Sequence, residues 1–188
     1  VLFDDLADEL YVSRSTLSHD FKKIRVMLSE YNLSIESRAN KGVYVSGEER
    51  DKRRFIMHYF LENQFLKTLH CYVKFNFFDQ TVPLEEFARI VLDECQEANL
   101  KLSDFVLQNL VVHIALSMIR LKSGFEIKNI DCQMTDDAIE RKVAQRILSK
   151  VSQVTNQEFP VQEIDYITLH LLAKSQQCQK NQKNISEE

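Results

Sequence analysis

Three glycines and two prolines among 188 residues restrict this chain more than any other feature. Gly supplies the left-handed backbone of tight turns and Pro ends helices, so a chain this poor in both has little means of interrupting helical runs. Leu, Ile, Glu, Lys and Gln are plentiful and favour helix. The expectation is a mainly α protein with long elements. The length suits one large domain or two small ones. Hydrophobic residues at 44% with 28% charged are ordinary for a core-forming chain.

No apolar run reaches the roughly 18–20 residues that span a bilayer, and no signal-peptide pattern is present, so no membrane partner is expected. Cys71, Cys95, Cys132 and Cys178 stand far apart, without a C-x-x-C pair. They read as reduced thiols of a cytoplasmic protein. The spacing needed for a zinc site is missing, and no cofactor is implied. The net charge of −4 argues against nucleic-acid affinity over the whole surface, but the charge is unevenly placed. Residues 14–54 hold ten bases against six acids, a balance of +4, and everything after them sums to −4. A basic N-terminal module joined to an acidic one follows.

"LFDDLADELYVSRSTLSHDFKKIRVMLSEY" reads as helix, turn, helix. Phe3, Leu6, Ala7 and Leu10 form the first apolar stripe, and Tyr11-Val12-Ser13 interrupts it. Ser13 is a good N-cap for a second helix that buries Leu17, Phe21, Ile24 and Leu28. Ser15, Ser18, His19 and Lys22 lie opposite, about 140–200° from Leu17 for all but Ser18. Hydroxyls and an imidazole on such a face can reach base edges, while Arg14, Lys22 and Lys23 can meet phosphates. The plainer reading is a solvated face. Next, "LSIESRANKGVYVSG" alternates Leu33 and Ile35 with Val43 and Val45 around a turn at Asn40-Lys41-Gly42, which is a hairpin signal.

Helix, turn, helix and basic hairpin, in that order, resemble the winged helix-turn-helix modules of bacterial sugar-operon activators. The resemblance implies double-stranded DNA as a partner. Its contact set is Arg14, Ser15, Thr16, Ser18, His19, Lys22 and Lys23 on the recognition helix, with Arg38 and Lys41 on the wing. A winged helix normally packs three helices, and this chain starts where the second should, so a piece of a longer protein is expected. Ser46-Gly47-Glu48-Glu49 has the form of a capping box and predicts a helix from about Gly47 to about residue 66. Its Arg50, Arg53 and Arg54 suit either DNA backbone or solvent. "HCYVKFNFF" is too aromatic to assign, and His58 and His70 read as structural.

Further helices are predicted at about 84–99, 103–122, 135–154 and 161–178, with breaks at Asn99, Ser123-Gly124 and Asn156 to Pro160. Short connections imply antiparallel neighbours in a bundle. Within "LVVHIALSMIRL" the polar residues Asn109, His113, Ser117 and Arg120 fall within about 80° of one another. Glu163, Tyr166, His170, Lys174 and Gln177 share one face of the last helix. Each of two apolar helices thus carries a polar seam centred on a histidine. Three readings compete: a satisfied core histidine, a metal or hydrolase site, and reversible phosphorylation. The second lacks clustered carboxylates, an H-E-x-x-H pair and a G-x-S-x-G elbow, so no enzyme is expected. In the third, an imidazole gains a group of about −2 charge, with Arg120 on the same stripe as a candidate phosphate partner.

"LVVHIALSMIRLKSG" and "FPVQEIDYITLHLLAKS" resemble the two histidine motifs of a PTS regulation domain. With the winged module, they are similar to transcription activators of the BglG/Mga-like group. The resemblance implies phosphorylation of His113 and His170 by HPr or an enzyme IIB component, and a homodimer formed through the helical half. Alternatives are an RNA-binding antiterminator of the same family and an unphosphorylated dimerisation scaffold. The implied organisation is a partial winged helix-turn-helix over 1–47, a helical connector over 48–80, a PTS regulation domain over 81–178 and a linker over 179–188. The family bundle has five helices. Four are found here, and a short one within Phe125–Cys132 is expected to complete the set.

Overall fold

A computed structural model describes residues 1–39, 42–62, 82–130 and 138–172. The chain divides into two compact units, Val1–Val73 and Lys74–Glu188. The architecture is mainly α, with one small two-stranded sheet among the described residues.

The first unit opens with α1 (Phe3–Glu9) and α2 (Arg14–Ser29). Between them Tyr11 takes a left-handed backbone, φ 54°. The Ser13 side chain then accepts the Thr16 N–H at 3.1 Å, so the expected N-cap is formed. Ala7, Leu17 and Phe21 make the local core, with Phe3, Leu6, Val12, Ile35 and Val43 packed around it. Leu10 and Ile24 do not join it. They are 53% and 38% exposed. Leu10 lies beyond the last turn of α1, where the helical period no longer fixes its direction.

β1 (Ser34–Arg38) pairs antiparallel with β2 (Gly42–Ser46), Arg38 opposite Gly42. Of the predicted turn, Asn40 and Lys41 lie outside the described residues. Gly42 has φ 70°, and a Cβ there would sit 2.1 Å from the Val1 carbonyl oxygen, so glycine is required. Val45, on the same strand face as Val43 but beyond the cover of the local core, is 40% exposed.

The capping box does not form. Ser46 ends β2 opposite Ser34, and α3 runs over Glu49–Ile56 from an N-cap at Glu48 with no side-chain cap. Strand pairing has taken the residue that the box needs. A π-helical turn, Met57–Glu62, continues α3. Arg53 is fully buried and its Nε donates to Glu49 at 3.1 Å, so it belongs to the core rather than to a DNA-facing or solvated helix start. Arg54 lies over the Tyr31 ring and pairs with Asp51. His58 is exposed beside Tyr31 and Tyr59, while His70 and the aromatic stretch around it are outside the described residues.

The second unit contains α4 (Leu84–Glu97), α5 (Asp104–Lys122), α6 (Ile139–Thr155) and α7, described over 161–172. The breaks fall where expected. Asn99 and Asn156 adopt left-handed φ values of 55° and 51°, and Gly124 has φ 79°. Asn tolerates that region because its short polar side chain bonds locally. Residues 125–130 are not helical, which removes most of the span proposed for a fifth helix. Asn99 supplies the α4–α5 break and Ser103 caps α5.

α4 packs on both α5 and α6. Phe87, Val91, Ile114, Ala115, Leu116, Val143, Ala144, Ile147, Val151 and Ile167 are wholly buried. α5 corrects the reading that no run is long and apolar enough for a bilayer. At 19 residues and mean hydropathy 1.4 it passes by length and composition, the one such helix among the described residues. With 56% of that window buried and a polar seam along one face, it serves as the core helix of its unit.

Candidate functional site

In the first unit, α2 carries its predicted polar set outward. Arg14, Ser15, Thr16, Ser18, His19, Lys22 and Lys23 are all exposed. The first turn is pre-ordered by hydroxyl contacts: Ser13 Oγ lies 2.8 Å from both Ser15 Oγ and Thr16 Oγ1. Arg14 pairs with Asp4 at 3.0 Å, and Lys23 lies 3.8 Å from Asp20. Both pairs are exposed and so weakly held, worth at most about 1 kcal/mol. They can exchange for a stronger anion.

On the hairpin, Tyr44 donates its hydroxyl to Glu36 at 2.6 Å, and Arg38 reaches the same carboxylate at 3.4 Å while lying over the Tyr44 ring. The Tyr44 bond first, then one from Ser46, holds the Glu36 carboxyl below its ordinary range. The Ser46 hydroxyl is thus engaged on the hairpin. Lys41 is outside the described residues.

The second unit brings the two predicted histidines together. The His113 and His170 rings stack with centroids 3.7 Å apart and planes 26° from parallel. Helical periodicity put each on a polar seam, and the packing of α5 against α7 makes the two seams one. Tyr166, one turn before His170, is edge-on to both rings at 5.8 and 4.7 Å. Its hydroxyl lies 3.2 Å from His113 Nδ1. Further along the seam Ser117 of α5 and Glu163 of α7 are wholly buried. Beside the rings is a small pocket of about 10 Å³, lined by Val106, Asn109, Leu110, Leu171 and the two imidazoles. His113 is 8% exposed and His170 is half-buried, so His170 is the more accessible ring of the pair.

Such a site can accept a compact group on an imidazole nitrogen. Among the described residues no carboxylate lines the pocket. Among the described residues no group of three or more His, Cys, Asp or Glu converges as metal ligands.

Arg120 lies further along the same stripe. Seven residues from His113, it stands roughly 10 Å further along the helix axis, and its guanidinium rests 4.1 Å from the centroid of Phe125. Lys174 and Gln177 lie outside the described residues.

Two charged contacts escaped sequence reading. Arg141 donates to Asp165 at 3.1 Å, joining α6 to α7 next to Tyr166. Glu94 is buried and accepts from Arg146 at 2.6 Å and Lys150 at 2.5 Å, joining α4 to α6. Burial alone would raise the Glu94 pKa, but the Lys150 and Arg146 bonds outweigh it and the net shift is downward. The signal for the second was present: a glutamate inside the apolar run Ile90, Val91, Cys95, and two cations four residues apart on α6. The first had none.

A helix-turn-helix with a hairpin, followed by a helical unit whose two seams meet at paired imidazoles, defines the class. Residues 1–60 match the Mga helix-turn-helix domain and residues 85–174 the PRD domain. The chain thus carries one of each, in that order. It is 28% identical over 195 residues to a probable licABCH operon regulator of Bacillus subtilis, covering 98% of this chain and 30% of the relative. It is 24% identical over 179 residues to the transcriptional regulator ManR of the same organism, covering 89% of this chain and 26% of that protein. The chain therefore spans less than a third of either relative.

Proposed function

We propose that the chain is the DNA-binding and signal-receiving part of a cytoplasmic transcription regulator of sugar-utilisation genes, controlled by phosphorylation of His113 and His170. The observation that carries this reading is the stacking of these two imidazoles, 57 residues apart in sequence, beside a small pocket that both line. Relatives named as an operon regulator and a transcriptional regulator support it.

The phosphodonor is HPr or an enzyme IIB component. Transfer to either ring places about two negative charges in a partly buried site beside a second imidazole. The balance of the stacked pair then changes, because the added negative charge at the edge of one ring favours the protonated form of the other. The output is a homodimer formed through the helical unit, which sets two α2 helices on DNA half-sites. A difference of about 1.4 kcal/mol between two dimer arrangements shifts their ratio tenfold, within reach of a few charge-assisted hydrogen bonds. Arg14, Ser15, Thr16, Ser18, His19, Lys22 and Lys23 meet the duplex, with Arg38 and Lys41 on the wing. Arg120, on the same stripe of α5 as His113, is the phosphate partner.

The test is duplex binding by gel shift before and after treatment with phosphoenolpyruvate, enzyme I and HPr or enzyme IIB. A change in affinity that disappears in the His113→Ala/His170→Ala protein supports the reading. Equal affinity before and after complete phosphorylation refutes it.

A further inference from the structure

Nδ1 of His113 is engaged by the Tyr166 hydroxyl, and this has chemical consequences for the pair. A neutral imidazole carries one proton and one lone pair, and the partner of one nitrogen decides the state of the other. If Tyr166 donates to Nδ1, then Nε2 holds the proton and neither nitrogen is nucleophilic. If Tyr166 accepts from Nδ1–H, the lone pair is on Nε2. In both cases Nδ1 cannot attack without first breaking its bond to a side chain that is only 5% exposed.

The ring is also clamped. Its face lies against His170 at 3.7 Å and its edge against Tyr166, a residue fixed on α7 between Glu163 and His170. Rotation to exchange the two nitrogens would break the stack and the hydrogen bond together.

We propose that Tyr166 is a positioning residue that holds His113 in the Nδ1–H tautomer by accepting its proton, and so makes Nε2 the nitrogen that takes the phosphoryl group. The inference rests on the regulatory reading above, which names phosphorylation but no nitrogen. In the step, the Nε2 lone pair forms a bond to phosphorus. The donor's bond to phosphorus breaks, and its electron pair leaves with the donor atom. The phosphorylated ring is then cationic and yields its Nδ1 proton to water as the pH allows, while Tyr166 keeps its own proton throughout.

The test has two arms on the full chain, each run on wild type and on Tyr166→Phe. Long-range 1H–15N correlation spectra of the unmodified protein read the tautomer of His113. Phosphorylation with potassium phosphoramidate, followed by 31P spectra and peptide mapping, reads the nitrogen modified. Expected are an Nδ1–H signature and phosphate on Nε2 of His113 in wild type, with the tautomer preference lost and both isomers formed in Tyr166→Phe. An Nε2–H tautomer in wild type overturns the inference. So does phosphate on Nδ1, label confined to His170, or an unchanged pattern in the variant. The tautomer arm needs no phosphorylation and decides the inference even for a variant that folds poorly, since it is read on wild type. Absence of label from enzyme I and HPr or enzyme IIB, with the Nδ1–H tautomer intact, overturns the regulatory reading and leaves the positioning role standing.

Discussion

Replacing Glu94 by Gln keeps the shape of the side chain and removes its charge between Arg146 and Lys150. Breaking an ion pair with both partners buried costs about 3–5 kcal/mol, and an exposed pair is worth about 0–1 kcal/mol. Here the carboxylate is 1% exposed but its cations are 46% and 50% exposed, so the cost falls between those limits, at about 1–3 kcal/mol. The pH dependence has a definite sign. The folded pKa of Glu94 is depressed, so its stabilisation is fully present above the ordinary carboxylate range and is lost as pH falls through the folded value. Urea unfolding of wild type and Glu94→Gln across a pH series should show the widest gap near neutrality, narrowing in acid. Arg146→Ala or Lys150→Ala alone should cost less than the double substitution by more than additivity allows, since either cation can serve the carboxylate. A gap below about 0.5 kcal/mol at neutral pH, or one that stays constant into acid, refutes the reasoning.

Four other outcomes are expected. Ser13→Ala removes the cap on α2 and should destabilise the first unit by about 1 kcal/mol in denaturant titration. Gly47→Ala places a Cβ 2.6 Å from Leu33 Cδ2 at φ 135°, and should cost about 1–3 kcal/mol by the same measurement. Cys95 is buried and its thiol pKa is pushed up to about 11, chiefly by burial, so iodoacetamide at mildly alkaline pH should label it only after unfolding, as read by peptide mass. For the DNA face, Lys22→Ala should lower the slope of log affinity against log salt by roughly one, measured by fluorescence anisotropy on duplex.

Legibility in the sequence followed the range of the interaction. Helix ends set by local chemistry were readable, because Ser13 acts through its own side chain and Asn99, Gly124 and Asn156 through their own backbone. The histidine pair was half readable. Periodicity put His113 and His170 on polar seams, but only the packing of α5 on α7 makes those seams meet. Ser46 shows a local rule losing to pairing: a capping box was written in the sequence, and the hairpin used its serine first. Arg53 shows charge misread as surface, because its partner Glu49 one turn away lets both be buried. Leu10 and Ile24 fit helical stripes yet face outward, since a stripe can be longer than the partner that covers it.

The central claim is that the stacked imidazoles receive a phosphoryl group, and the most direct check is mass spectrometry under conditions that preserve phosphohistidine. The protein is incubated with phosphoenolpyruvate, enzyme I and HPr, or with an enzyme IIB component as well, then digested and mapped. Acid-labile phosphate should appear on His113 or His170 and vanish from the doubly substituted protein. Phosphate found elsewhere, or none at all with any donor, contradicts the account.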